Sequence, residues 1–222
     1  MDYFKTEDHD GTLLVTMSRP PYNAVSPDLL EEGIALFRSL TDNAPAGGIV
    51  LTSDGKNFTA GMDLKIAAAL DDDGRVQAGN LVNMFLASLV RVRCAFICAV
   101  NGHSIGAGSI MGLASDWVIA AKGDYAFGLT EAKAGLPFPP VPQAILNHTL
   151  DPVWRRRLAL TSDLLAPEQA MAAGLVDQIV DADKLVDEAI LRAKYLAGQR
   201  GFKACKRQHR QPLNAEIDAI FG

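Results

Sequence analysis

The stretch V-N-G-H-S-I-G-A-G-S-I-M-G, Val100 to Gly112, decides how the rest of the chain is read. It follows the apolar run Ala95–Val100, which reads as a buried strand. Glycines fall at 102, 106, 108 and 112, and a segment with helical apolar spacing comes after them. Strand, glycine-rich turn and helix N-terminus together suit the stabilisation of negative charge. The backbone can come close to a ligand there, and unpaired N–H groups point along a favourable dipole. Other readings fit less well. In Gly106-Ala107-Gly108 the third glycine of a dinucleotide fingerprint comes one residue late, at 112, and no clear acid closes a following strand to hold a ribose. No G-x-x-x-x-G-K-[ST] run occurs. Ser109 with His103 as base lacks the G-x-S-x-G elbow of a serine nucleophile.

The 222 residues suit one domain with an appendage, or two small domains. With 49% hydrophobic and 21% charged residues the chain can bury a sizeable core. A net charge of -5 argues against a nucleic-acid partner. No apolar run approaches the roughly 20 residues needed to cross a membrane. The start, M-D-Y-F-K-T-E-D-H-D, resembles neither a signal peptide nor a transit peptide, so a cytoplasmic protein is expected. Cys94, Cys98 and Cys205 are odd in number, and no disulfide framework or metal site is expected of them.

Outward from the glycine block, Gly11–Met17 reads as a strand after a hairpin turn at Asp10-Gly11, and Ser26-Pro27 as a helix start. Ile49–Thr52 is a short buried strand, Asp71–Gly74 an acidic loop, and Val82, Phe85, Leu86 and Leu89 mark an amphipathic helix. Strands are expected over Asp116–Ala121 and Tyr125–Thr130. The proline cluster 137–142 excludes regular helix or central strand, and Pro212 interrupts a final basic segment. Strand–helix units fill the first two thirds and helices the last third. This predicts an α/β sheet core with a helical C-terminal part.

Two places combine an apolar approach with small residues: Phe58–Leu64, which contains Ala60-Gly61, and Gly102–Gly108. Two N–H groups from separate loops can form an oxyanion hole, and losing one such donor costs about 3–4 kcal/mol of transition-state stabilisation. Tight turns and close packing explain the same residues. Glu131 follows an apolar strand and precedes the proline cluster. A carboxylate in apolar surroundings has a raised pKa, which suits a general base or acid; a solvated loop acid is the alternative. Asp63 and Asp116 read as residues that cap or brace turns. Lys203, Lys206, Arg207 and Arg210 read as a solvated helix face or a phosphate contact.

Taken in order, these pieces resemble the crotonase superfamily, the enoyl-CoA hydratases and isomerases. Arg19-Pro20 with Asn23-Ala24 is similar to the family's R-P-x-x-N-A element. Phe58-Thr59-Ala60-Gly61-Met62-Asp63-Leu64 is similar to its F-x-A-G-x-D-L loop. Asn101-Gly102 through Gly106-Ala107-Gly108, with Asp116 beyond, is similar to its glycine block. Ala166–Ala170 through Gly174–Asp177 is similar to its late A-x-E-A…G-L-V-D segment. The resemblance implies a crotonase/ClpP-like spiral of ββα units over 1–140. Residues 141–222 would be a helical region that mediates trimers or hexamers.

It further implies an acyl-CoA substrate, with coenzyme A entering only as part of that substrate and no metal or redox cofactor. The thioester oxygen would sit between the N–H groups of Ala60 and Ala107, and Ala24, Gly61, Met62, Asp63, Leu64, Gly106, Ile110 and Pro137 would lie against the substrate. Hydratases of the family use two glutamates; the first position holds Ile110 here and the second Glu131. One glutamate with an aliphatic partner resembles the Δ3,Δ2-enoyl-CoA isomerases, in which Glu131 would move a proton from C2 to C4. A hydratase, or a crotonase-type lyase or decarboxylase, is the alternative enzyme. A non-catalytic acyl-CoA binder and a ClpP-like protease using Ser109 are alternatives of other classes.

Overall fold

Two left-handed residues set the first turn. The structure is a computed structural model and describes residues 2–222. Asp10 and Gly11, with φ of 54° and 83°, join β1 (Phe4–His9) to β2 (Thr12–Met17) as an antiparallel hairpin. This is the conformation a two-residue Asp-Gly loop favours. Ser26 then caps α1 (Pro27–Asp42), its hydroxyl accepting the Leu29 N–H at 3.4 Å, and Pro27 sits where no N–H is needed.

From β3 onward the chain repeats one move: a strand in a large sheet, a strand in a small sheet, then helix. β3 (Ile49–Ser53) and β4 (Asn57–Thr59) lead to α2 (Leu64–Ala69) and α3 (Asp72–Val90). β5 (Phe96–Val100) and β6 (His103–Ile105) lead to α4 (Ala107–Ala114). β7 (Trp117–Ala121) and β8 (Phe127–Gly128) lead to α5 (Glu131–Ala134) and α6 (Pro140–Thr149). Successive turns stack, so β3, β5 and β7 pair in parallel, as do β4, β6 and β8. This is the expected α/β spiral of ββα units.

The remaining third is α7 (Pro152–Thr161), β9 (Leu164–Leu165), α8 (Pro167–Ala172), β10 (Gln178–Val180), α9 (Leu185–Ala197) and α10 (Phe202–Phe221). It is not purely helical: β10 completes the six-stranded sheet β1-β2-β3-β5-β7-β10, and β9 the four-stranded sheet β4-β6-β8-β9.

The central strands are continuous apolar runs because both faces of the large sheet are covered. Ile49, Leu51, Phe96, Cys98 and Val100 join the main core, in which Phe37 meets Phe4, Phe85 and Phe96 at ring separations of 5.8–6.4 Å. Alternate residues Val50, Ile97, Ala99 and Ile119 face Ala189, Ile190 and Ala193 of α9.

Several local expectations change. Asp71–Gly74 is no loop: Asp71 caps α3, accepting the Gly74 N–H at 2.8 Å, and Asp72 and Asp73 sit in its first turn, where negative charge opposes the helix dipole. Only Phe127–Gly128 of the strand expected over 125–130 is paired. Pro140 and Pro142 lie inside the first turn of α6, where missing N–H groups do no harm, and Pro212 lies inside α10.

The last concerns the basic segment. Lys206 and Arg210 are not on a solvated face. Lys206 Nζ reaches Asp116 Oδ2 at 2.6 Å and the Cys94 carbonyl at 2.7 Å. Arg210 donates to the Ser115 carbonyl at 2.5 Å and lies 3.5 Å from Asp116 Oδ1. The Phe96 N–H also donates to Asp116, at 2.9 Å. Desolvation pulls the Lys206 ammonium below its usual range, with Asp116 opposing it. The cluster ties α10 to the ends of β5 and β7.

Candidate active site

The glycine block turns at Gly106, which has φ 55° and ψ −115°, a backbone state that suits glycine. Its N–H donates to the Gly128 carbonyl at 2.8 Å, and α4 starts at the next residue. The Ala107 N–H belongs to the first turn of that helix and has no intrahelical acceptor. A Cβ on Gly106 would stand 3.0 Å from Glu131 Oε1, so the turn and the carboxyl are in contact.

The second loop corrects one expected donor. The Ala60 N–H is already used: it donates to the Tyr22 carbonyl at 3.0 Å. The Gly61 N–H goes to Thr59 Oγ1 at 3.1 Å. Val25 and Met62 form a parallel bridge, in which Val25 N–H donates to the Gly61 carbonyl at 2.8 Å and Asp63 N–H to the Val25 carbonyl at 3.0 Å. Backbone groups alternate direction along an extended segment, so the N–H of Met62 points away from Val25. It has no acceptor among the described residues. Met62 and Ala107 both line one cavity, and Ala60 does not. The pair of free donors is therefore Met62 and Ala107. A Cβ on Gly61 would fall 3.1 Å from the Ile105 carbonyl, which shows how closely the two turns abut.

The cavity measures about 930 Å³. It gathers Met62, Leu64, Ala107, Ile110, Glu131 and Pro137 from the expected set. The other expected residues stand behind it. Asp63 caps α2, accepting the Lys65 and Ile66 N–H groups at 3.1 and 3.3 Å, and pairs with Arg19 at 3.0 Å. Arg19 also donates to the Ala24 carbonyl at 2.8 Å. Gly61 and Gly106 shape the backbone but do not line the space. The opposite wall, Val76, Gly79, Asn83 and Leu86 of α3, was not among the expected residues. Its signal was the spacing of 3, 4 and 3 residues, hidden once the start of α3 is taken for a loop.

Glu131 opens the short helix α5, ended by Gly135 with φ 69°. Its Oε2 is buried without a hydrogen-bond partner. Burial pushes its pKa from 4.5 up to about 7, and the N–H groups of Glu131 itself and Thr130 offset this only in part. Among the described residues it is the one acidic side chain lining the cavity. Such a group, close to two free N–H donors in an apolar space, can take up and return a proton near neutral pH while the donors hold an oxyanion.

Ser109 is otherwise engaged. Its hydroxyl donates to the Ser104 carbonyl at 2.6 Å and accepts the Gly128 N–H at 3.2 Å. His103 Nδ1 accepts the Ala126 N–H at 3.0 Å. The two side chains serve the backbone around β6 and β8 and form no nucleophile–base pair.

Comparison with known proteins gives the family. The family model described as enoyl-CoA hydratase/isomerase matches residues 7–219. The probable enoyl-CoA hydratase echA17 of Mycobacterium avium is 27% identical over 212 residues, covering 95% of this chain and 79% of that protein. The carnitinyl-CoA dehydratase of Escherichia coli K12 is 29% identical over 187 residues, covering 81% and 69%. The crystal structure of the probable enoyl-CoA hydratase EchA3 of Mycobacterium tuberculosis superposes with a TM-score of 0.89 at 22% identity, covering 100% of this chain and 94% of that one. With the match spanning nearly its whole length, the chain belongs to the enoyl-CoA hydratase/isomerase family.

Proposed function

We propose that the protein is an enoyl-CoA isomerase that shifts the double bond of a 3-enoyl-CoA to the conjugated trans-2 position. The observation that carries this reading is the acid content of the cavity: Glu131 alone, with Ile110 on the first turns of α4. Adding water to a double bond asks for one group to hold the water and another to deliver the proton. Moving a double bond needs a single base that serves two carbons. Glu131 takes a proton from C2, the N–H groups of Met62 and Ala107 hold the thioester oxygen as the dienolate forms, and Glu131 returns the proton at C4. A pKa of about 7 lets one carboxyl do both. Proton transfer of this kind requires no metal or redox cofactor, and coenzyme A enters with the substrate.

The likeness to a probable enoyl-CoA hydratase favours a second reading, hydration of a 2-enoyl-CoA. Side-by-side assays with 3-enoyl-CoA and 2-enoyl-CoA separate the two. Conversion of the first without hydration of the second is expected; the reverse overturns the isomerase reading. Glu131→Gln should lower the conversion at least about 100-fold, and isomerisation at the wild-type rate in that variant would remove Glu131 from the mechanism. We further propose a cytoplasmic homotrimer or hexamer. Exposed Leu160, Leu164 and Met171 on the consecutive elements α7, β9 and α8 support self-association.

A further inference from the structure

One polar side chain in the wall of the cavity takes no part in the proton transfer. Asn83 lies on α3, where that helix packs on both α4 and α6. It is 6% exposed and lines the cavity. Its Oδ1 accepts the Val141 N–H at 3.0 Å. The need for that bond is local. Pro140 and Pro142 have no N–H, Gln143 donates to the Pro139 carbonyl, and Val141 is left as the N–H of the first turn of α6 to be satisfied.

This bond fixes the orientation of the amide. A backbone N–H only donates, so the carbonyl end of Asn83 must face it, and the NH₂ must point elsewhere. Nδ2 has no acceptor among the described residues, yet it is not one of the side-chain atoms sealed off from solvent. For a residue this buried, the space it opens on is the cavity. Around it the wall is apolar, with Val82 and Leu86 on α3 and Ile110 on α4. A donor left facing such a space is unfavourable until a ligand or water meets it. Asn80, one turn earlier and exposed, also lines the cavity, so the amides mark two successive levels of the α3 wall.

We infer that Asn83 is a specificity-determining residue whose Nδ2 donates to a neutral oxygen on the acyl chain, beyond the carbons that exchange protons. The preferred substrate then carries a hydroxyl or keto oxygen on its chain, where a plain hydrocarbon leaves the donor unmet. A carboxylate fits less well. Among the described residues the one cation lining the cavity, Arg75, is exposed and paired with Asp72 at 3.1 Å, and Glu131 adds a negative charge on deprotonation. The inference rests on the acyl-CoA reading of the cavity.

The test compares binding of three saturated acyl-CoA series of equal chain length: plain, keto and hydroxyl, with the oxygen moved along the chain from C5. The wild-type protein should bind the keto and hydroxyl chains more tightly than the plain chain at one position, by about fivefold, the worth of one neutral hydrogen bond. Asn83→Leu keeps the bulk and removes the donor, and should lose both preferences. Asn83→Asp keeps the acceptor for Val141. It should lose the preference for keto, which only accepts, and keep that for hydroxyl, which can donate. Mere loss of structure would weaken all three ligands together and leave the ratios unchanged, which counts against the inference. Equal wild-type affinity for the three series at every position overturns it while leaving the acyl-CoA reading in place. Failure of every acyl-CoA to bind overturns both.

Discussion

Two carboxylates, Glu131 and Asp116, are withdrawn from water in this molecule, and they have opposite fates. Asp116 is met on every side: by the Phe96 N–H, by Lys206 at 2.6 Å and by Arg210 at 3.5 Å. Glu131 has Oε2 buried with no partner, and its pKa rises to about 7. Burial alone does not make a catalytic acid. What separates the two is whether the fold supplies cations and donors to the charged form. Where it does, the carboxylate is a brace that ties elements together. Where it withholds them, the group can change protonation state near neutral pH.

The comparison is broken most directly by removing each carboxylate in turn. Glu131→Gln should lower kcat for 3-enoyl-CoA isomerisation by about 100- to 10,000-fold with secondary structure unchanged, the usual contribution of a general base. Steady-state kinetics with circular dichroism check this. Asp116→Asn should do the reverse. It leaves Lys206 and Arg210 buried against one another's charge, and should cost about 3–5 kcal/mol of stability in urea unfolding. kcat per folded molecule should stay within a few-fold of wild type. Removing the cation as well, in Asp116→Asn with Lys206→Met, should recover part of the loss, because one uncompensated buried charge is gone. A stability loss for Glu131→Gln as large as that for Asp116→Asn would erase the distinction between the two carboxylates.

The sequence made Glu131 visible as a candidate base because an apolar strand precedes it and prolines follow. It left the buried role of Asp116 half seen. Asp116 read as a brace, but its partners lie 90 and 94 residues away in a segment whose composition suggested solvent. Charge runs are read by local density, and burial of Lys206 is settled by long-range packing that no local pattern encodes. The ββα spiral was legible because its strands are short apolar runs closed by turn residues. The α3 wall was not, because acidic residues at a helix start look like a loop until the cap is seen. The donor pair was half legible. Ala107 follows from its place at a helix start, whereas choosing between Ala60 and Met62 requires knowing which neighbour takes which N–H. Tyr22 and Val25 decide that from another part of the chain.

The smallest effect sharpens the comparison most, because it uses pH alone. Glu131 has a folded-state pKa of about 7 against an ordinary value of 4.5, so the folded protein holds its proton more tightly than the unfolded chain. The stability this provides is fully present below pH 4.5 and is lost as pH rises to about 7, for a total of about 3 kcal/mol. Glu131→Gln cannot titrate. The wild-type protein should therefore lose stability relative to the variant across that window and run parallel to it on either side, as read from urea midpoints at constant ionic strength. The same proton governs activity in the other direction, since the base must be free: kcat/KM should rise with pH through about 7 and then level off. Stability falling and activity rising over adjoining ranges, both abolished by one substitution, would tie the burial of Glu131 to its chemistry. If the two proteins keep a constant stability difference between pH 4.5 and 7, the carboxyl is not held neutral by the fold, and the contrast with Asp116 fails.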